Sequence, residues 1–364
     1  MSSLPTNQEE IFFEGDDYFH SLWKDLKQAS SSILIEIYIL MEDEIGKQLI
    51  EIIKEKSKSG IEIKLIIDAV GSLELSSVCI QDLKNAGIQV KIYHSFRKFF
   101  KNKINKRDHR KIVIIDQKIA YLGGMNFHKQ ESRRFYGEES WRDTHIRLIG
   151  EPVTSLIHHF FDMFEGIHKS PRRRRTLRQQ QSSKNNIAAT KNFFGRNKIR
   201  NLLFRYTKRS KRLIRYTTAY LVPDWEFAFA LSKAKKRGAR VQIITNGIKT
   251  CDIKMVSRVQ RPMLRYLLKR GIEIYFYNHR MIHAKTAIFD TEIATIGSSN
   301  LNYRSFFRDC EINYFTRHKR TIHKLRDQFE SDLKSSTPVT REMLHSNLWE
   351  KLLETVAYLF RSFF

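Results

Sequence analysis

One short pattern occurs twice in the chain, as HRKIVIID from His109 and HAKTAIFD from His283. From His109 the chain counts two positions to Lys111, seven to Asp116, fourteen to Gly123 and seventeen to Asn126. The same steps from His283 reach Lys285, Asp290, Gly297 and Asn300. One such match is as easily chance as design; two that agree through Gly and Asn, at corresponding places in a repeat, specify a duplicated fold. The surroundings repeat as well. SSSILIEIYIL (30–40) reads as a buried strand, and a helix follows with Ile45, Leu49, Ile52 and Ile53 on one stripe, ending at Gly60 before the strand IEIKLIID. RLIRYTTAYLVP, a helix capped by Asp224, and ARVQIITN restate that order. LKNAGIQVKIYHS and LLKRGIEIYFYNH then lead into the two motifs.

This alternation predicts an α/β chain of two pseudo-symmetric lobes, each a mostly parallel or mixed sheet flanked by helices, with a cleft between them. The boundaries read as a first lobe at 1–168, a basic linker at 169–197, a second lobe at 198–336 and an amphipathic helix at 337–364. The linker contains KSPRRRRTLRQQQSSKNN, polar and basic with few apolar residues.

Each motif reads as a strand–turn–strand hairpin, with DQK and DTE as the turns. Residues i and i+2 of a strand share a face, so His109 projects with Lys111 and His283 with Lys285. The aspartates complete the catalytic motif in sequence, but an odd offset puts Asp116 and Asp290 on the opposite face and implies a structural role. The GG and GSS that close the return strands suit a backbone that must approach a ligand closely.

A pseudo-two-fold relation between the halves brings both His–Lys pairs to one cleft, where a phosphodiester meets two imidazoles and two ammonium groups. A neutral imidazole can attack phosphorus and form a phosphohistidine. A protonated one can give its proton to the departing alkoxide and later take one from an alcohol or water. Histidine suits both tasks because its unperturbed pKa is about 6.5. Lys111, Lys285, Asn126, Asn300, Gly124 and Ser298 are the candidates for holding phosphate oxygens. An ammonium 4 Å from an anionic oxygen contributes about 4 kcal/mol at an effective dielectric of about 20. No carboxylate cluster suits a two-metal site, so this chemistry requires neither metal nor cofactor.

Composition narrows the partners. The net charge of +26, from 65 basic and 39 acidic residues, points to polyanions: nucleic acid, an acidic membrane surface or phosphate-bearing substrates. Cys79, Cys251 and Cys310 are odd in number and lack CxxC spacing, which argues against disulfides or zinc and for a reducing compartment. No leader-like apolar stretch opens the sequence, and no run of 18 apolar residues occurs. FRKFFKNKINKRDH (96–109) interleaves aromatic and basic residues ahead of the first motif, a pattern equally suited to lipid headgroups, nucleic acid or plain solvation. Glu36 and Tyr38, on the strand opening the first lobe, are cleft-lining or core residues. In NLWEKLLETVAYLFRSFF, Leu348, Leu352, Val356, Leu359 and Phe363 form a helical stripe that either lies in a membrane interface or docks on the protein itself.

The duplicated HxKxxxxD followed by GGMN and GSSN resembles the phospholipase D superfamily, and within it the chain is similar to the bacterial cardiolipin synthases. The resemblance covers about residues 14–364, supported by IEIYIL, WRDTHIRLIGEPV, AYLVPD and NLNYRSFFRDCEIN. It implies two phospholipase D-like lobes and a carboxylate orienting each histidine, at Asp143 and Glu311, with Asp309 a competitor. It implies nucleophile and acid on one motif each; the adopted assignment is His109 as nucleophile and His283 as acid. The implied activity is transfer of a phosphatidyl group between phospholipids, making cardiolipin from phosphatidylglycerol. The implied setting is cytoplasmic, attached peripherally to an anionic membrane at its inner face, with oligomeric state open. A phospholipid hydrolase, a metal-independent nuclease favoured by the Arg172–Arg175 run, and a non-catalytic phosphate-binding scaffold remain as alternatives.

Overall fold

The structure, a computed structural model, describes residues 7–93, 106–166, 186–190 and 197–363. Two mixed sheets form its frame. The first runs β1-β7-β6-β5-β2-β3-β4, from β1 (Gln8–Phe12), β2 (Ser32–Ile37), β3 (Glu62–Asp68), β4 (Gln89–Tyr93), β5 (Ile112–Ile115), β6 (Ile119–Gly123) and β7 (His145–Ile149). The second runs β17-β12-β11-β9-β13-β14-β16-β8, from β8 (Ile187–Ala189), β9 (Leu213–Thr217), β11 (Arg240–Asn246), β12 (Glu273–Tyr277), β13 (Thr286–Phe289), β14 (Ile293–Gly297), β16 (Ile312–Thr316) and β17 (Ser336–Pro338). Two-residue strands β10 (Leu221–Val222) and β15 (Leu301–Asn302) pair apart from them.

All seven strands of the first sheet have a counterpart, in order, in the second. The parallel trio β2-β3-β4 matches β9-β11-β12, and the antiparallel hairpin β5-β6 matches β13-β14. The isoleucine-rich strands suit burial on both faces, and β2 and β5 are buried throughout. Crossover helices close the parallel units. Asp43 caps helix Glu44–Lys58 by accepting from the N–H of Ile45 and Gly46, and Asp224 caps helix Trp225–Lys236 through Phe227 N–H. Each lobe has its own apolar core beneath these helices. A further core joins the lobes, with Ile112, Ile114 and Leu122 from the first hairpin beside Ile288, Ala294 and Ile296 from the second.

Two boundaries differ from expectation. Residues 187–189, placed in the linker by composition, form an edge strand on β16 of the second sheet. Three residues, IAA, are too short for alternation to register. Residues 169–185, which carry the arginine run, and 94–105, most of the basic–aromatic segment, lie outside the described residues. The histidines also stand just ahead of the hairpin strands rather than within them, since the ladders start at Ile112 and Thr286.

Candidate active site

The segments ahead of the two hairpins cross the seam between the lobes. His109 N–H donates to Cys310 O at 3.0 Å, and Cys310 N–H to Arg107 O at 2.8 Å. Symmetrically, His283 N–H donates to Arg142 O at 2.8 Å, and Arg142 N–H to Met281 O at 2.9 Å. Each motif is therefore bridged to the segment that follows the other motif. This carries a carboxylate across the seam. His109 Nδ1 lies 3.2 Å from both carboxylate oxygens of Glu311, and His283 Nδ1 lies 2.6 Å from Asp143 Oδ2. A neutral imidazole giving Nδ1–H to a carboxylate keeps its lone pair at Nε2. Asp309 lines the same cavity, with its two oxygens accepting from Arg304 Nη2 and Nε at 2.9 Å.

His109, His283, Asn126 and Asn300 line one cavity of about 370 Å³, together with Tyr38 and Trp141. Asn126 Oδ1 accepts from Ile39 N–H and Asn300 Oδ1 from Ala219 N–H, each at 3.2 Å. Both asparagines line the cavity with their oxygens so held, and Asn126 Nδ2, itself buried, has no hydrogen-bond partner among the described residues. Lys111 and Lys285 are fully buried beneath, each anchored to the carbonyl of its own histidine. Tyr38 packs edge-on against His109, and Trp141 lies 4.8 Å from the His283 ring.

Burial sets the charge states. Burial, then the ammonium groups of Lys111 and Lys285, pushes His109 well below its ordinary value. Burial and Lys285 push His283 down to about 3, against the pull of Asp143. Both imidazoles are thus neutral before an anion enters. Burial, followed by Lys285, pushes Lys111 down to about 7. The two carboxylates differ. Burial pushes Asp143 up, but Lys285, His283 and the Thr144 N–H overcome it and hold the group well below the carboxylate range. Burial pushes Glu311 up to about 7, against Lys111 and the hydroxyls of Ser298 and Ser305.

Several expected roles change. Gly124 gives its N–H to Thr144 O at 3.0 Å, and a Cβ on it would stand 2.2 Å from Asp143 Oδ1. Its smallness makes room for the orienting carboxylate rather than for phosphate. Ser298, at the matching position, donates its hydroxyl to Glu311 and its N–H to Ile312 O, so it too serves the carboxylate. Asp116 and Asp290, expected on the face opposite the histidines, sit at the far hairpin turns, outside the cavity. Asp116 accepts from the N–H of Ser30, Ser31 and Ser32, and Asp290 from those of Lys211, Arg212 and Leu213. Glu36 is buried against Arg110 at 3.4 Å and does not line the cavity, whereas Tyr38 does.

Sequence reasoning missed Glu131. Its Oε1 accepts from Asn126 N–H at 3.0 Å, as Ser305 Oγ does from Asn300 N–H at 3.1 Å. Both lie five residues past their asparagine, and that equal spacing was the available signal. Glu131, Asp143 and His283 place three potential metal-ligand atoms within 4.8 Å of one another. Lys285 Nζ, 3.9 Å from Asp143 Oδ2, already supplies positive charge there, and burial with Asp143 pushes the Glu131 carboxyl well up into its neutral form. The donor set is that of a hydrogen-bonded, lysine-neutralised cluster.

Comparison with known proteins places the chain in a family. The family model described as "Cardiolipin synthase, PLD-like domain" matches residues 22–161 and 203–333. A cardiolipin synthase of Geobacillus sp. (strain WCH70) is 32% identical over 367 residues, covering 98% of this chain and 72% of the relative. Cardiolipin synthase B of Salmonella typhi is 30% identical over 362 residues, covering 96% and 86%. In fold, the crystal structure of phosphatidylserine synthase from Haemophilus influenzae Rd KW20 superposes with a TM-score of 0.76 at 13% identity, over 98% of this chain and 95% of that one.

Proposed function

The chain belongs to the cardiolipin synthase, PLD-like domain family, and from that membership we propose a phosphatidyltransferase that makes cardiolipin from phosphatidylglycerol through a phosphohistidine. The observation that carries this reading is the single cavity lined by both motif histidines and both asparagines, with Lys111 and Lys285 buried behind the histidines and each histidine backed by the opposite lobe's carboxylate.

In the proposed reaction, the phosphodiester enters between Asn126 and Asn300 over the two lysines. Burial first, and the two ammonium groups second, keep the imidazoles neutral; the substrate's negative charge works against both, so one histidine can now hold a proton. His283 is favoured as that acid, because the anionic Asp143 at its Nδ1 stabilises an imidazolium. Glu311, with a pKa near 7, stabilises one less beside His109. His109 Nε2 attacks phosphorus, the bond to the departing glycerol oxygen breaks, and His283 protonates that oxygen. In the second half, the acceptor's hydroxyl gives its proton to His283 and its oxygen to phosphorus, and the P–N bond breaks. The lysines and asparagines hold the non-bridging oxygens throughout, and losing one such donor typically costs about 10²–10³ in rate.

The enzyme would work bound peripherally at the inner face of a membrane. No helix among the described residues is long and apolar enough to cross one. Expression in cells that lack cardiolipin, beside a His283→Ala control, tests the reading. New cardiolipin only with the intact chain is expected. Phosphatidic acid instead would mean hydrolysis, and unchanged lipids with cleaved oligonucleotides would mean a nuclease.

A further inference from the structure

Helix Leu348–Leu359 is mounted with its polarity reversed. On a soluble protein the apolar stripe of a surface helix faces the core. Here the core side carries Glu354 and Tyr358, the buried residues of the helix. Glu354 is clamped by Arg261 at 2.7 Å and by Arg265, and Tyr358 packs against Trp225. Leu348, Trp349, Leu352, Leu353, Val356 and Leu359 are all exposed, Leu348 at 83% and Trp349 at 77%. At about 100° per residue they fill an arc of about 140°, centred opposite Glu354. Trp225, which packs against Tyr358 at the inner edge of the helix, is itself 47% exposed.

The surface leads to the cavity mouth. Helix Leu348–Leu359 rests on the outer face of helix Lys254–Leu268, the face of Arg261 and Arg265. Met255 and Arg258 continue that face at i, i+3 spacing and are exposed. Ile253, just ahead of them and also exposed, lines the cavity itself. Met255 and Arg261 are about 9 Å apart along the helix axis.

We propose that this outward face is where the protein docks on an anionic phospholipid bilayer, with Trp349 and its leucine neighbours inserted into the interface. The assignment rests on the phosphatidyltransferase reading, since it supplies the lipid whose headgroup must reach the cavity while its acyl chains stay in the membrane. Charge selects the bilayer over a second copy of the chain. Arg258 and Lys233 are exposed on the neighbouring helices and Lys351 is exposed beside Glu350 on the helix itself, and the chain as a whole, at +26, is complementary to anionic headgroups. A molecule of net charge +26 repels its own copy.

The test is flotation with vesicles of phosphatidylglycerol and phosphatidylcholine, comparing the intact chain with a Leu352→Glu, Val356→Glu variant. Both side chains point to solvent, so the melting temperature should hold. The variant should bind vesicles at least tenfold more weakly and lose turnover on vesicles in proportion. Turnover of a short-chain phosphatidylglycerol dispersed as monomers should be unchanged. Equal vesicle binding by the two proteins would overturn the proposal. So would an intact chain that sediments as a dimer and a variant that sediments as a monomer with unaltered vesicle binding. If the intact chain binds vesicles, the variant does not, and neither turns lipid over, the docking surface stands and the transferase reading falls.

Discussion

Asp116 and Asp290 pin the turns of the two hairpins. Both stand at φ near 50°, where the chain doubles back, and each takes three backbone N–H groups from the segment that opens its lobe's first core strand. Partial burial pushes the Asp116 carboxyl up, but the N–H groups of Ser32, Ser31 and Ser30 outweigh it and leave the pKa depressed. A depressed folded pKa contributes stability above the unfolded value, near 3.9, that is lost as pH falls below it. Asp116→Asn should therefore cost about 1–2 kcal/mol at pH 7, after allowance for solvent screening. The difference from the parent should shrink between pH 5 and pH 3 in urea titrations, while turnover per folded molecule changes little. Unchanged stability with collapsed turnover would return the aspartate to the reaction. Lys111 titrates in the opposite region. With its pKa pushed down to about 7, it loses the charge that holds phosphate as pH rises, so kcat/KM should decline above neutrality in a pH–rate profile. A rate flat to pH 9 would mean that its charge is not needed for capture.

The elements that meet at the seam explain both what could be read from sequence and what could not. The hairpins, their helices and the pseudo-symmetry follow from apolar runs and a repeated interval, which are local signals. The exchange of carboxylates does not. His109 and Glu311 are 202 residues apart and His283 and Asp143 are 140 apart, so only lobe packing decides which acid backs which imidazole. Gly124 misled for a related reason: an invitation to close approach is visible in sequence, but the identity of the approaching group is not. The seam also rests on Arg142, whose Nε and Nη2 bond both oxygens of buried Asp332 from helix Lys319–Lys334. Breaking a buried pair strands a charge and costs about 3–5 kcal/mol, whereas replacing both partners with apolar residues is often neutral. Asp332→Ala should thus melt far below the parent and lose activity, because Arg142 O receives the His283 N–H. Arg142→Met with Asp332→Leu should recover most of the lost stability. If the single variant melts like the parent, the pair does not hold the seam.

At the scale of the whole molecule, the duplication turns two incomplete lobes into one site. Each motif histidine takes its orienting carboxylate from the other lobe, and the apolar core between the hairpins is what brings each donor to its acceptor. The two lobes meet within a single chain, so all four groups belong to one molecule. This organisation predicts the result of mixing two dead proteins. His109→Asn removes the proposed nucleophile and His283→Asn the proposed acid, and each should lower turnover by a factor of about 10³ or more. Equimolar mixtures of the two should stay as inactive as either alone, even after unfolding and refolding together, because no chain in the mixture has both imidazoles. If the active cavity were instead assembled between copies, with lobes exchanged, co-refolded mixtures would contain sites that took both intact halves from different chains. Activity would then rise to a substantial fraction of the parent's. Such a rise, measured as transfer of labelled phosphatidyl groups, would move the seam from within the chain to between chains, and the crossed carboxylates with it.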